Sequence, residues 1–69
     1  MGNNNSGISL LRLESVKGRT GLSRSSIYNL IAIGEFPNSV KITSKAVAWP
    51  SNEIDFWISS RIADRQAAQ

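Results

Sequence analysis

The chain has 69 residues, 41% hydrophobic and 7% aromatic, which is enough for one domain around a small core and too little for a second. It has no Cys and no His, so it lacks disulfides, the usual metal ligands, the usual general base and the Ser-His-Asp and Cys-His nucleophile arrangements. No enzymatic activity, metal or other cofactor, or small-molecule substrate is expected. The net charge of +3 is concentrated between Arg12 and Lys45, where Arg12, Lys17, Arg19, Arg24, Lys41 and Lys45 face only Glu14 and Glu35. A surface of that kind suits a polyanion, because each neutralised phosphate releases counterions.

Met1 to Gly7 is rich in Asn, Gly and Ser, has no apolar anchor, and reads as a flexible tail over residues 1–7. No apolar run approaches the ~20 residues of a membrane span, and the basic-then-apolar order of a signal peptide is absent, so a cytoplasmic protein with no membrane partner is expected. Apolar residues crowd from Ile8 to Leu13, and Val16 follows Leu13 at one-face helical spacing. This predicts a first helix over roughly Leu13 to Thr20. Gly18 inside it costs about 1 kcal/mol relative to Ala, so this helix should depend on its neighbours. Thr20-Gly21-Leu22-Ser23 ends it, with Gly21 suited to the positive φ of a tight turn.

Ser23 is placed to cap a second helix, and Leu22 before it can staple against Ile27. On that helix Ile27, Leu30 and Ile31 form an apolar face, while Ser25, Tyr28 and Asn29 lie opposite, and Arg24 projects at the N-terminal end. Gly34 supplies the stop. After Phe36-Pro37 the period changes: Val40 and Ile42 alternate with Lys41, and Val47 and Trp49 with Ala48, across the polar break Thr43-Ser44-Lys45. That pattern predicts a hairpin. Pro50 suits the first position of a third helix, with Glu53 and Asp55 near its positive end and Ile54, Trp57, Ile58 and Ile62 at helical spacing. The expected domain is residues 8–63, with a frayed end over residues 64–69.

Two short helices joined by a Gly turn, the second capped and amphipathic, followed by a hairpin, are the organisation of a winged helix-turn-helix. The expected fold class is therefore α+β. In such a fold the second helix can offer Arg24, Ser25, Tyr28 and Asn29 to the major groove, with Ser25 and Asn29 able to hydrogen-bond base edges and Arg24 able to reach a phosphate or a guanine. Ser23, Arg19, Lys41 and Lys45 complete the candidate DNA-binding residues.

Plainer roles compete at several positions. Ser23, Ser25 and Ser26 could be nucleophiles, but no base is present to activate one, so capping and polar contact are favoured. Glu53 and Asp55 diverge around a helix at i and i+2 and read as a charged first turn. Trp49 and Trp57 fall on apolar periodic positions and read as core. Phe56 lies off that face and could mark a contact with a neighbouring copy or a partner. Lys41 and Lys45 on a hairpin could simply be solvated.

In order and spacing, Val16, Thr20-Gly21-Leu22-Ser23-Arg24-Ser25, Ile27-Tyr28, Gly34-Glu35-Phe36-Pro37, Val40-Lys41, Ala46-Val47, Trp49, Glu53-Ile54 and Trp57-Ile58 resemble the AlpA family of prophage regulators. The resemblance runs from about Leu10 to Arg61. It implies a winged helix-turn-helix related to excisionases and to the DNA-binding domains of MerR-type regulators, in a small protein of a prophage or integrative element that activates integrase expression or assists excision. The implied partners are double-stranded DNA and, on it, integrase or further copies of the chain. Asn29 stands where the family often has a basic residue, Thr43-Ser44-Lys45 where the wing often carries Gly and Arg, and Ala48 where Gly often precedes the Trp. A non-catalytic module that binds an integrase, repressor or polymerase subunit is the rival reading.

Overall fold

The computed structural model describes residues 7–67, and the side chains of residues 7–65. Apart from Gly7, the expected tail lies outside the described residues. In chain order the elements are β1 (Leu10–Leu11), α1 (Leu13–Thr20), α2 (Arg24–Ala32), β2 (Val40–Thr43), β3 (Ala46–Pro50) and α3 (Ser51–Ala67). The fold is α+β, a small winged helix-turn-helix. Among the described residues no helix is long and apolar enough to cross a membrane.

The turn between α1 and α2 is fixed by local hydrogen bonds. Gly21 takes φ +76° and its N–H donates to the Lys17 carbonyl at 2.8 Å, satisfying a carbonyl that the end of α1 would leave unpaired. The Thr20 hydroxyl donates to the Val16 carbonyl and accepts from the Leu22 N–H. Ser23 then caps α2 as its spacing predicts, its Oγ accepting from the Ser26 N–H at 3.2 Å. At the far end of α2, Gly34 has φ +78°, and the Gly34 and Glu35 amides donate back to Ile31 and Leu30. That is the paired 5→2 and 6→1 closure of a helix ending in a left-handed Gly.

The sheet is antiparallel with order β1-β3-β2. Strand β1 is absent from the sequence reading, since two residues are too few to show an alternation. It pairs Leu10 with Pro50 and Leu11 with Trp49. This pairing corrects the placement of Pro50, which ends β3 instead of opening the third helix. Proline is tolerated there because it ends the strand and its missing donor breaks no longer ladder. Helix α3 begins one residue later and continues to Ala67, beyond the expected domain end at residue 63.

Each packed element contributes to one core: Val16 from α1, Ile27 from α2, Phe36 from the connection, Trp49 from β3 and Ile54 from α3 are all buried. Burial of each such side chain contributes about 1.5–3 kcal/mol. Leu11, Leu13, Leu22, Leu30, Ile31, Val47, Trp57 and Ile58 surround them. Ile62, expected on the same stripe of α3, is 51% exposed.

Candidate nucleic-acid interface

Helix α2 buries Ile27, half-buries Leu30 and Ile31, and leaves Arg24, Ser25, Tyr28 and Asn29 exposed. With a 100° rotation per residue, that division puts the polar residues together on the side away from the core. Ser23, Arg24, Ser25, Tyr28 and Asn29 line one shallow open depression. Five of the eight residues nominated by sequence therefore meet on one surface.

Two ring contacts give this surface internal order. The Arg24 guanidinium lies over the Tyr28 ring, 5.3 Å from its centre. Tyr28 also meets Trp49 edge-to-face, with ring centres 6.3 Å apart and planes at 64°. Trp49 is fully buried, and its indole Nε1 donates to the Pro37 carbonyl at 2.9 Å. The chain from the buried core to the exposed guanidinium is therefore continuous. The i,i+4 spacing of Arg24 and Tyr28 makes their contact legible on a helix. No local signal announces the contact between Tyr28 and Trp49, which lie on different elements.

The cations divide by their partners. Lys17 pairs with Glu14 at 3.4 Å, Arg19 with Asp55 at 3.0 Å, and Arg61 with Asp64 at 2.7 Å. Arg19, a candidate DNA contact by sequence, thus joins α1 to α3 through an exposed ion pair. Among the described residues no carboxylate pairs with Arg12, Arg24, Lys41 or Lys45. Arg12 was not nominated by sequence; it is exposed at the N-terminal boundary of α1.

Lys41 lies on β2, every residue of which is exposed, and Lys45 occupies the two-residue tip of the hairpin. Among the described residues only glycines have positive φ, so Ser44-Lys45 cannot form the mirror-image turns that usually close two-residue hairpins. The strand register instead shifts between Lys41 and Thr43, and the Thr43 hydroxyl accepts from the Lys45 N–H at 3.1 Å. The wing tip is thus shaped by a bulge and a side-chain turn, placing Lys45 at its apex.

A second surface lies on α3. Phe56 is 75% exposed, and with Pro37, Asn52, Glu53, Trp57 and Ser60 it borders an open groove of about 480 Å³.

The sequence model of the family described as "Prophage CP4-57 regulatory protein (AlpA)" matches residues 9–62. One similar protein is the "DNA-binding transcriptional activator AlpA" of Escherichia coli (strain K12), 35% identical over 65 residues, covering 86% of this chain and 93% of that protein. Another is "Uncharacterized protein ORF88" of Enterobacteria phage P4, 48% identical over 56 residues and 81% of this chain. The chain spans 64% of the length of that phage relative. The matched span takes in β1, both helices of the turn, the wing and most of α3, and by it this chain belongs to the AlpA family of prophage regulatory proteins.

Proposed function

We propose that this protein binds double-stranded DNA in a sequence-specific manner, with α2 in the major groove and the wing against the neighbouring backbone. It serves a prophage or integrative element in the cytoplasm as a transcriptional regulator, an excision (recombination directionality) factor, or both. One observation carries the reading: the exposed face of α2 gathers Ser23, Arg24, Ser25, Tyr28 and Asn29 around one open depression, and Arg24 has no carboxylate partner among the described residues. Ser and Asn side chains can bond base edges, Arg can reach guanine or phosphate, and Lys41 and Lys45 supply phosphate contacts from the wing. The likeness to the E. coli activator supports the same reading.

The protein acts by binding alone. At an attachment site it bends or occupies DNA to favour excision; at a promoter it recruits or excludes polymerase. A domain this small reads one groove segment, so useful specificity requires further copies on adjacent sites or integrase as a partner. Titration of duplex DNA at several salt concentrations tests the reading, and footprinting across the element's attachment and promoter regions locates the sites.

The exposed Phe56 and the groove beside it favour a second reading, in which α3 docks an integrase, repressor or polymerase subunit and the chain never reads bases. An affinity for duplex DNA that does not change with salt would select it.

A further inference from the structure

We propose that Tyr28 is a positioning residue: its ring, held against Trp49, fixes the direction of the Arg24 guanidinium so that Arg24 reads a guanine in the major groove and does not merely touch phosphate. The inference rests on the reading of α2 as the DNA-reading helix and deepens it by assigning the specificity contact.

A phosphate contact asks little of an arginine. The charge attracts from a range of directions, and a freely swinging side chain serves nearly as well as a fixed one. Bidentate bonding to guanine O6 and N7 asks for a planar fork in one orientation, and every rotamer frozen on binding costs affinity unless it is frozen beforehand. The surroundings of Arg24 meet that second demand. Its guanidinium rests on Tyr28 at 5.3 Å, Tyr28 rests on a fully buried indole, and that indole is tied to the Pro37 carbonyl.

Arg61 offers the control within the same molecule. It too lies over a ring, 5.5 Å from the centre of Trp57, but its guanidinium is engaged by Asp64 at 2.7 Å. Arg24, unlike Arg61, is supported by an aromatic ring and engaged by no carboxylate among the described residues. It also occupies the first residue of α2, the end of a recognition helix whose side chains reach base edges. Tyr28 itself is 38% exposed, with much of its ring committed to its neighbours.

The test is selection from a pool of 20-base-pair duplexes of randomised sequence, using the full chain, followed by affinity measurements on the enriched duplex and its single-base variants. The expected result is a guanine whose replacement weakens wild-type binding about 5- to 150-fold, the range of one bidentate base contact. Arg24→Ala and Tyr28→Leu should both erase the preference at that same position, and the double variant should lose no more than Arg24→Ala alone. Tyr28→Phe, which keeps the ring, should restore most of the discrimination that Tyr28→Leu loses.

If Tyr28→Phe loses as much as Tyr28→Leu, the phenol touches DNA directly and the proposal is overturned. It is equally overturned if Tyr28→Leu weakens binding to all sequences alike while the guanine preference survives. Failure of the wild-type chain to enrich any sequence would instead overturn the DNA-reading function, and this proposal with it. Should Tyr28→Leu not fold, proton NMR of the unbound wild-type chain decides: upfield ring-current shifts of the Arg24 side chain support the proposal, and their absence overturns it.

Discussion

Trp49 and Trp57 are both tryptophans at apolar positions, yet they hold different places in the fold. Trp49 is fully enclosed, bonds the Pro37 carbonyl and supports Tyr28. Trp57 is half-buried, packs edge-to-face on Phe36 at 4.9 Å and donates to the Glu35 carbonyl at 2.9 Å. Trp49→Ala should therefore cost about 3–5 kcal/mol, which takes most of the stability of so small a domain. Trp57→Ala should cost less than Trp49→Ala, because its ring is only partly buried against the core. Arg24→Ala should leave unfolding nearly unchanged while weakening duplex binding. Urea denaturation followed by circular dichroism, set beside a binding titration, separates the three. An Arg24→Ala variant as unstable as Trp57→Ala would contradict the assignment of faces on α2.

At the scale of elements, two glycines of α1 and its turn make opposite demands. Gly18 lies within the helix with nothing within 4 Å of where a Cβ would sit, so Gly18→Ala should stabilise the domain by about 1 kcal/mol through helix propensity. Gly21 has equally open surroundings but φ +76°, so Gly21→Ala should destabilise by about 1–2 kcal/mol from backbone strain alone. The pair should move the melting temperature in opposite directions, by roughly 4–8 °C per kcal/mol for a domain of this size. If both substitutions lowered it, the open surroundings of Gly18 would be contradicted. The cap adds a third check: Ser23→Ala removes the acceptor of the Ser26 amide and should cost about 1 kcal/mol.

At the scale of the whole molecule, Ser51 holds the N-terminal strand in place. Its hydroxyl accepts from the Ser9 N–H at 2.8 Å and donates to the Gly7 carbonyl, and its own N–H donates to the Ser9 carbonyl at 2.7 Å. Ser51 is the one buried polar side chain among the described residues. Ser51→Ala should leave a part-buried amide unpaired, lower stability by about 1–3 kcal/mol and speed hydrogen exchange at Leu10 and Leu11. For DNA binding by the entire surface, about three or four phosphate contacts from the unpaired cations predict a log-log salt slope of roughly −3 to −4. Removing Lys45 should reduce that slope by about 1 without changing sequence preference.

The elements whose signals are local could be read from the chain itself. Helix α1, the Ser23 cap, the apolar and polar faces of α2 and the hairpin each follow from residues within a few positions of one another, where capping, helical rotation and glycine's left-handed freedom act directly. Five of the eight nominated DNA contacts belong to that local set, which is why they share one depression. The pairing of Leu10 with Pro50, the engagement of Arg19 by Asp55 and the contact of Tyr28 with Trp49 were decided elsewhere. Two join residues more than thirty positions apart, and the third joins a ring of α2 to a ring of β3. A charge pattern or a periodicity says which faces exist; only the packed core brings distant faces close enough for a strand to pair, an ion pair to close or a ring to hold a guanidinium.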